Sequence, residues 1–490
     1  PVAGGGAVIR SVRRLAAVLA VLLFALVANL TYLQYVASAD IRARAGNSRT
    51  LLEEYSRERG PILLGSTAIA SSIPTDDQLK FLRQYARGPL YAPATGFYSL
   101  VYGATGIERT ENAVLSGSDD RFFVDRVQQL FAGRGVKGGA VRLTLDPRAQ
   151  KAAYDGLAGR TGAVVAIDPR TGAILALASS PSFDPNLLSS HDPASIRKAY
   201  KGYEEDPQKP MLNRPLVMTL PPGSTFKLVT AAAALESGQY EPDTEVPGPA
   251  TLDLPDTTKN LNNWSGTACG PGGVTTLANA LAVSCNTAFA SIGLELGDDA
   301  LRAQAEKFGF GTSFEVPLRA AASRFPADPD APQTAMSAIG QFDVSATALQ
   351  MAMVGAGIAN NGQVMSPYLV SEILSPSLET LETAEPQAFS QAMSPANAAQ
   401  LLAMMVGVVE QGTGSNARIP GVAVGGKTGT AQTGNDQKAH AWFVGVAPAI
   451  PGNTQVAVAV VLQNGGGAAE ISGNALAAPI AKSVMEAVLQ

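Results

Sequence analysis

Ser224 and Lys227 stand three residues apart in the stretch Pro221-Pro222-Gly223-Ser224-Thr225-Phe226-Lys227, which continues as Leu-Val-Thr-Ala-Ala-Ala-Ala-Leu-Glu-Ser-Gly. Two prolines and a glycine cannot continue a helix, whereas the residues after Ser224 favour one until Gly238 stops it. Ser224 is therefore expected at a helix N-terminus, where backbone N–H groups lack partners and the dipole favours negative charge. Lys227 falls on the same helical face, with its Cβ about 5–6 Å from that of Ser224. A lysine so placed can take the proton of the serine hydroxyl once burial or a neighbouring cation lowers its pKa. An anion formed on a substrate would meet the helix-terminal N–H groups. The layout is that of a nucleophilic serine with a lysine base, although serine is a common N-cap and lysine a common helix residue, so the pair needs support from elsewhere in the chain.

Two later stretches supply it. Ser284-Cys285-Asn286 falls within a stretch, Thr275 to Leu296, expected to be helical; alone it means little, because helix serines usually bond their own backbone. Lys427-Thr428-Gly429-Thr430 falls within an expected strand, where Gly425, Gly426 and Gly429 would let another segment approach closely. A lysine and two threonine hydroxyls on one strand suit a substrate carboxylate. The chain has two histidines, His191 and His440, which leaves little room for a Ser-His-Asp design and favours lysine as the base. Its two cysteines cannot build a zinc framework. A net charge of −5 with 16% charged residues gives no reason to expect a nucleic-acid partner.

The elements that must carry these residues follow from the order of the chain. At 490 residues there is room for two or three domains. Arg10, Arg13 and Arg14 precede an uncharged run from Leu15 to Tyr35. That run is long enough to cross a bilayer core, with the arginines holding residues 1–14 in the cytoplasm and the rest outside. Ala37-Ser38-Ala39 resembles a signal-peptidase site, so cleavage is the alternative to a retained anchor at residues 15–35. Residues 36–159 read as a non-catalytic pedestal, in which Arg59-Gly60-Pro61-Ile62 and Tyr91 to Gly96 punctuate short strand-like runs. Leu143 to Asp146 leads into a helix ending near Leu157. Residues 160–490 begin with a hairpin, Ala163–Ile167 and Ala173–Ala178 around a turn at Asp168–Gly172. Three more strands are expected at Gly421–Gln432, Ala439–Ala447 and Thr454–Gln463, then a closing helix from Ala475 to Leu489. Pro376 to Pro395 reads as a loop with a little helix. Early and late strands around a helical middle imply an α+β domain, an antiparallel sheet covered by helices.

Taken together and in this order, S-x-x-K, S-x-N and K-T-G resemble the penicillin-binding proteins and serine β-lactamases. Leu220 to Lys227 and the run from Lys427 through His440-Ala441-Trp442-Phe443 strengthen the likeness, which covers the chain from about Arg160 to its end. The anchor and pedestal resemble class B penicillin-binding proteins, and Tyr91-Ala92-Pro93 through Gly96-Phe97-Tyr98-Ser99 resembles the actinobacterial penicillin-binding protein A group. Leu63-Leu64-Gly65-Ser66 replaces the more usual Asp-Arg-Asn-Gly after the pedestal Arg-Gly-x-Ile.

The resemblance implies a penicillin-binding transpeptidase fold without a cofactor or metal. It implies that Ser224 attacks the D-Ala-D-Ala carbonyl of a peptidoglycan stem peptide with Lys227 as base, and that Ser284 relays a proton to the leaving D-Ala. Asn286 would hold Lys227 and the substrate amide, Lys427 would supply positive charge, and Thr428 and Thr430 beside Gly429 would receive the carboxylate. Backbone N–H groups of Ser224 and Thr430 would form the oxyanion hole. An amine from a second stem peptide would resolve the acyl-enzyme, and β-lactams would acylate the same serine. Only about 120 residues separate anchor from catalytic domain, too few for a glycosyltransferase, so a SEDS-type membrane polymerase is the implied partner. A β-lactamase is the rival within the fold, but Glu315-Val316-Pro317-Leu318-Arg319 carries arginine where a class A enzyme needs asparagine. A D,D-carboxypeptidase and a non-enzymatic receptor are the others. Cys269 and Cys285 either form a disulfide before the S-x-N segment or are two separate buried thiols.

Overall fold

The computed structural model describes residues 5–32, 54–123, 131, 137–432, 438–467 and 471–490. The first of two compact units holds the N-terminal helix; the second runs over Glu58–Pro74 and Phe81–Gln490. The N-terminal helix spans Gly5–Thr31, and its segment Val12–Thr31, with a mean hydropathy of 2.1 and no burial, is long and apolar enough to cross a membrane. It is compatible with a single-pass anchor and begins earlier than the span expected at residues 15–35. Leu33 to Tyr35 and Ala37-Ser38-Ala39 lie outside the described residues.

The second unit contains a five-stranded antiparallel sheet. Its strands are β1 (Gly162–Ile167), β2 (Ile174–Ser180), β3 (Gly425–Ala431), β4 (His440–Ala447) and β5 (Val456–Leu462), in the spatial order β3-β4-β5-β1-β2. The expected hairpin is β1–β2, and the three late strands are present with ends trimmed by a few residues. Strand β5 reads Val-Ala-Val-Ala-Val-Val-Leu and is buried along its whole length, because both faces of the sheet are covered. One face packs Val164, Ala166, Phe443, Val458 and Val460 against helices α1 (Pro147–Leu157) and the C-terminal Ala478–Leu489. The other packs Val165, Val444 and Ala459 against Ala348–Ala359, a helix buried all round and apolar but for Gln350. Pro479 is tolerated at the first turn of the closing helix, as expected.

The pedestal sheet has six strands, in the order Thr380–Thr383, Val370–Leu374, Ala140–Leu143, Ile62–Leu64, Thr67–Pro74 and Phe81–Tyr85. The first two come from far along the chain, in and beside the stretch read from sequence as a loop. Pro376 to Pro395 holds strands Thr380–Thr383 and Ala388–Gln391 and only the first residue of a helix that starts at Pro395. Thr380–Thr383 is exposed at every position, so it lacks the alternation that marks a strand in sequence. Tyr91 to Thr95 also departs from its reading, since Gly88–Thr95 is a buried helix with Pro93 inside it rather than a break between strands. At the middle of this region Glu108 is fully buried between Arg59 (Nε–Oε2 2.6 Å) and Arg83 (Nε–Oε1 2.7 Å), with the Tyr85 hydroxyl donating to Oε1 at 3.1 Å.

Candidate active site

Ser224 occupies a short 3-10 turn, Gly223–Phe226, which leads into α2 (Lys227–Glu236). Pro222 caps the turn, the Thr225 hydroxyl donates to its carbonyl at 2.7 Å, and Gly223 N–H donates to the Gly340 carbonyl at 2.9 Å. Phe226 wedges the turn into the core against Phe310 and Phe325. Every residue of α2 from Lys227 to Leu235 is buried, which is why an alanine-rich sequence suffices there. Ser224 itself is only half-buried and opens on a cleft of about 800 Å³ that Ser284, Asn286, Thr428 and Thr430 also line. Its hydroxyl has no hydrogen-bond partner among the described residues, as is common for catalytic groups before substrate closes the geometry.

The S-x-N segment is not the continuous helix that its sequence suggests. α3 (Leu277–Ala282) ends, Ser284 takes a left-handed conformation with φ 61°, and α4 (Asn286–Leu296) begins with Cys285 as its N-cap. The break has a chemical consequence. In an unbroken helix the Ser284 carbonyl would be consumed by the backbone ladder; here it accepts from Lys227 Nζ at 2.7 Å. Lys227 Nζ also donates to Asn286 Oδ1 at 2.7 Å and approaches Ser284 Oγ at 3.4 Å. A left-handed serine costs of order 1 kcal/mol, a cost that tends to persist at functional sites.

Asn263, which the sequence did not single out, holds this geometry. It is buried, and its Oδ1 accepts from the backbone N–H groups of Asn286 at 2.9 Å and Thr287 at 3.1 Å, capping α4 from a different loop. The carbonyl of Asn262 receives Asn286 Nδ2 at 3.1 Å, which turns Asn286 Oδ1 toward Lys227. A disulfide joins Cys269 to Cys285 and ties the same loop to the start of α4. Asn262 and Asn263 lie in a polar run without periodicity, so only the fold reveals them.

Lys427, Thr428, Gly429 and Thr430 lie on β3, an outer strand of the sheet. Lys427 Nζ donates to Ser284 Oγ at 2.8 Å and to the Thr428 carbonyl at 3.1 Å. Gly429 is required by contact: a Cβ there would lie 2.9 Å from the Pro222 carbonyl and 3.0 Å from the Thr225 methyl, prising the serine turn off the strand. Ser284 Oγ can thus accept from Lys427, and from Lys227 when that amine carries its third proton, and keep its own proton free to donate.

Lys227 and Lys427 are both fully buried. Burial drives the Lys227 amine well below the ordinary lysine value, and the positive charge of Lys427 drives it further. Burial alone brings Lys427 down to about 7. No Asp or Glu lines the cleft among the described residues. Glu315 and Pro317 line a separate pocket with Glu111, Arg121 and Glu382, none of which lines the cleft at Ser224. His440 is buried, accepts the Asn464 N–H at 3.0 Å and is pushed down to about 4 by burial, so it stays neutral. His191 bonds the Phe81 carbonyl at 3.0 Å, away from the cleft.

Comparison with known proteins shows the family. The penicillin binding protein transpeptidase domain family matches residues 162–486, and the penicillin binding protein A dimerisation domain family matches residues 59–141. The peptidoglycan D,D-transpeptidase PbpA of Mycolicibacterium smegmatis is 45% identical over 489 residues, covering 98% of this chain and 99% of that protein. The protein of the same name from Mycobacterium tuberculosis is 42% identical over the same shares. Among solved structures, the ceftriaxone acyl-enzyme complex of M. tuberculosis penicillin-binding protein A has a TM-score of 0.87 at 43% identity, covering 90% of this chain and all of that one. The penicillin G acyl-enzyme complex of that protein has a TM-score of 0.84 at 42% identity, covering 89% of this chain and all of that one. A serine turn, a broken S-x-N helix and a lysine strand meeting over one cleft, in a chain matched almost end to end, place this chain in the class B penicillin-binding protein family of transpeptidases.

Proposed function

We propose that this protein is a peptidoglycan D,D-transpeptidase whose acyl-enzyme forms on Ser224. Ser224 Oγ attacks the penultimate D-alanine carbonyl of a stem peptide, and its proton passes to the neutral amine of Lys227. The oxyanion sits on the N–H groups of Ser224 and Thr430, each such donor being worth ~3–4 kcal/mol to the transition state. Collapse breaks the amide C–N bond, and the leaving D-alanine nitrogen takes a proton from Ser284, which regains one from Lys227. The amine of a second stem peptide then attacks the ester, loses its proton by the reverse route and restores Ser224, leaving a cross-link. Thr428 and Thr430 hold the terminal carboxylate, with Lys427 as the nearby positive charge, and Asn286 holds Lys227 and the substrate amide.

The observation that carries this reading is the chain Lys227–Ser284–Lys427, two buried amines meeting at one hydroxyl beside the serine turn. The cleft's lack of a carboxylate among the described residues favours transfer to an amine over rapid hydrolysis, because no second base besides Lys227 stands ready to drive water. In this reading the N-terminal helix anchors the protein with residues 1–14 in the cytoplasm. Residues 36–159 supply most of the pedestal, whose sheet also takes Val370–Leu374 and Thr380–Thr383, and most of residues 160–490 form the transpeptidase domain outside. A SEDS-type polymerase supplies the glycan strands. Mass spectrometry after penicillin treatment tests the assignment: one slowly released adduct on Ser224 is expected, and undiminished labelling of Ser224→Ala would overturn it.

A further inference from the structure

Gly412-Thr413-Gly414 follows the long helix Pro395–Glu410 and lies between two of the segments that build the cleft. Its sequence resembles part of a phosphate loop without the closing lysine, and nothing in the reaction so far uses it. The backbone of the loop is held against the end of α3: Thr413 N–H donates to the Ala282 carbonyl at 3.0 Å. A Cβ on Gly412 would come within 2.2 Å of that same carbonyl, so only glycine permits the approach. Ala282 lies two residues before the left-handed Ser284. The side chain of Thr413 faces the other way, half-buried on the cleft, and its hydroxyl is 2.7 Å from the hydroxyl of Thr428. One residue therefore ties the end of the S-x-N helix to the lysine strand.

The direction of that hydroxyl pair matters. A carboxylate accepts hydrogen bonds and donates none, so Thr428 serves it only with its own O–H. A hydroxyl has one proton. If Thr428 spends its proton on Thr413, it offers the carboxylate a lone pair, which repels it. We infer that Thr413 is a positioning residue for substrate recognition, donating its hydroxyl proton to Thr428 Oγ1 so that the Thr428 proton points into the cleft toward the ligand carboxylate. A donor–donor relay of this kind also polarises the second O–H, which strengthens its bond to an anion. The inference rests on the transpeptidase reading of Ser224 and names a further residue within that site.

The test uses the full chain and two ligands, penicillin G and its methyl ester, which differ in whether a carboxylate is present. The second-order rate of Ser224 acylation is measured for each by mass spectrometry. Thr413→Val keeps the shape of the side chain and removes the proton, and is expected to slow acylation by the acid about tenfold, the scale of one hydrogen bond to a charged group. Acylation by the ester should change little, so the acid-to-ester ratio falls by the same factor. Thr413→Ser should restore the ratio, and adding Thr413→Val to Thr428→Val should cost nothing more. Equal losses for acid and ester, or an undiminished loss in the Thr428→Val background, would overturn the inference by showing that Thr413 acts through the fold alone. Should Thr413→Val not fold, Thr413→Ala carries the same ratio. Failure of the wild-type protein to acquire the Ser224 adduct would instead sink the transpeptidase reading, so the two failures are told apart.

Discussion

In the pedestal, one carboxylate, Glu108, lies fully buried between two guanidiniums, Arg59 and Arg83. Beside the cleft, two lysine amines, Lys227 and Lys427, lie equally buried about one hydroxyl, with no carboxylate lining the cleft among the described residues. Burial works against charge in both places, and the outcomes are opposite. At Glu108 burial alone would raise the pKa, but the attraction of Arg83 and Arg59 outweighs it and the group ends lower than an ordinary glutamate. At Lys227 burial lowers the pKa and the nearest charge, Lys427, lowers it again. A matched cluster keeps its charges and fixes the local structure. An unmatched one gives up a proton, and a lysine without its proton is a base. The difference between scaffold and catalyst here is a single missing counter-charge.

The sharpest way to break this comparison is to remove Lys227, the proposed base. Lys227→Ala should slow acylation of Ser224 by about 10²–10⁴, the usual range for a general base, without loss of fold. Penicillin labelling followed over time checks it, and an unchanged rate would mean that another group takes the proton.

Neutralising each cluster should next move stability in opposite directions. Glu108→Gln leaves two guanidiniums buried without an anion and should cost roughly 3–5 kcal/mol in urea unfolding. Lys427→Met replaces a buried cation by an apolar side chain of similar volume and should leave stability at pH 6 unchanged or raise it by up to about 4 kcal/mol, while acylation falls. Equal destabilisation by both would erase the contrast.

pH separates the clusters without mutation. A lysine whose folded pKa is depressed binds fewer protons folded than unfolded, so its contribution to stability rises with pH. For Lys427 the window runs from about 7 up to the ordinary value of 10.5, and below about 7 the full cost of a buried ammonium is present. Glu108, with its pKa lowered from 4.5, gives stability that is present above that value and lost as pH falls through the folded one. Unfolding measured from acid to alkaline pH should show both limbs, the acid one vanishing in Glu108→Gln and the alkaline one shrinking in Lys427→Met.

Two smaller effects sharpen the picture. Asn263→Ala removes the cap of α4 and should cost about 1–2 kcal/mol in thermal or urea unfolding, with a parallel loss of acylation because Asn286 loosens from Lys227. Arg319→Asn, which completes the class A β-lactamase-like pattern after Glu315, should leave the release of bound penicillin unchanged. Glu315 lines a different pocket from Ser224, and faster release in that variant would show that it reaches the acyl-enzyme.

The parts of the site legible in sequence were those enforced locally. Prolines and a glycine stop a helix wherever they stand, so the serine turn and the lysine one turn later could be placed without tertiary information. The β1–β2 hairpin was equally open, because continuous apolar runs between turn residues need two covered faces. What stayed hidden depends on partners distant in the chain. Nothing in Ala-Val-Ser-Cys-Asn marks a left-handed serine, because the conformation is stabilised by Lys227 taking the freed carbonyl. Asn263 and Thr413 are ordinary polar residues until the fold sets one against α4 and the other against Thr428. Val370–Leu374 and Thr380–Thr383 join the pedestal sheet across more than two hundred residues of chain, a pairing that no local pattern announces.

The central claim is that burial and Lys427 hold the Lys227 amine well below an ordinary lysine, which would fit it to take the Ser224 proton. The pH dependence of the second-order rate of Ser224 acylation by penicillin tests it most directly. The account predicts a rising limb well below the 10.5 of an ordinary lysine, moving toward higher pH in Lys427→Met as the repelling charge is removed. A limb at the ordinary lysine value, or one that Lys427→Met leaves in place, would contradict it.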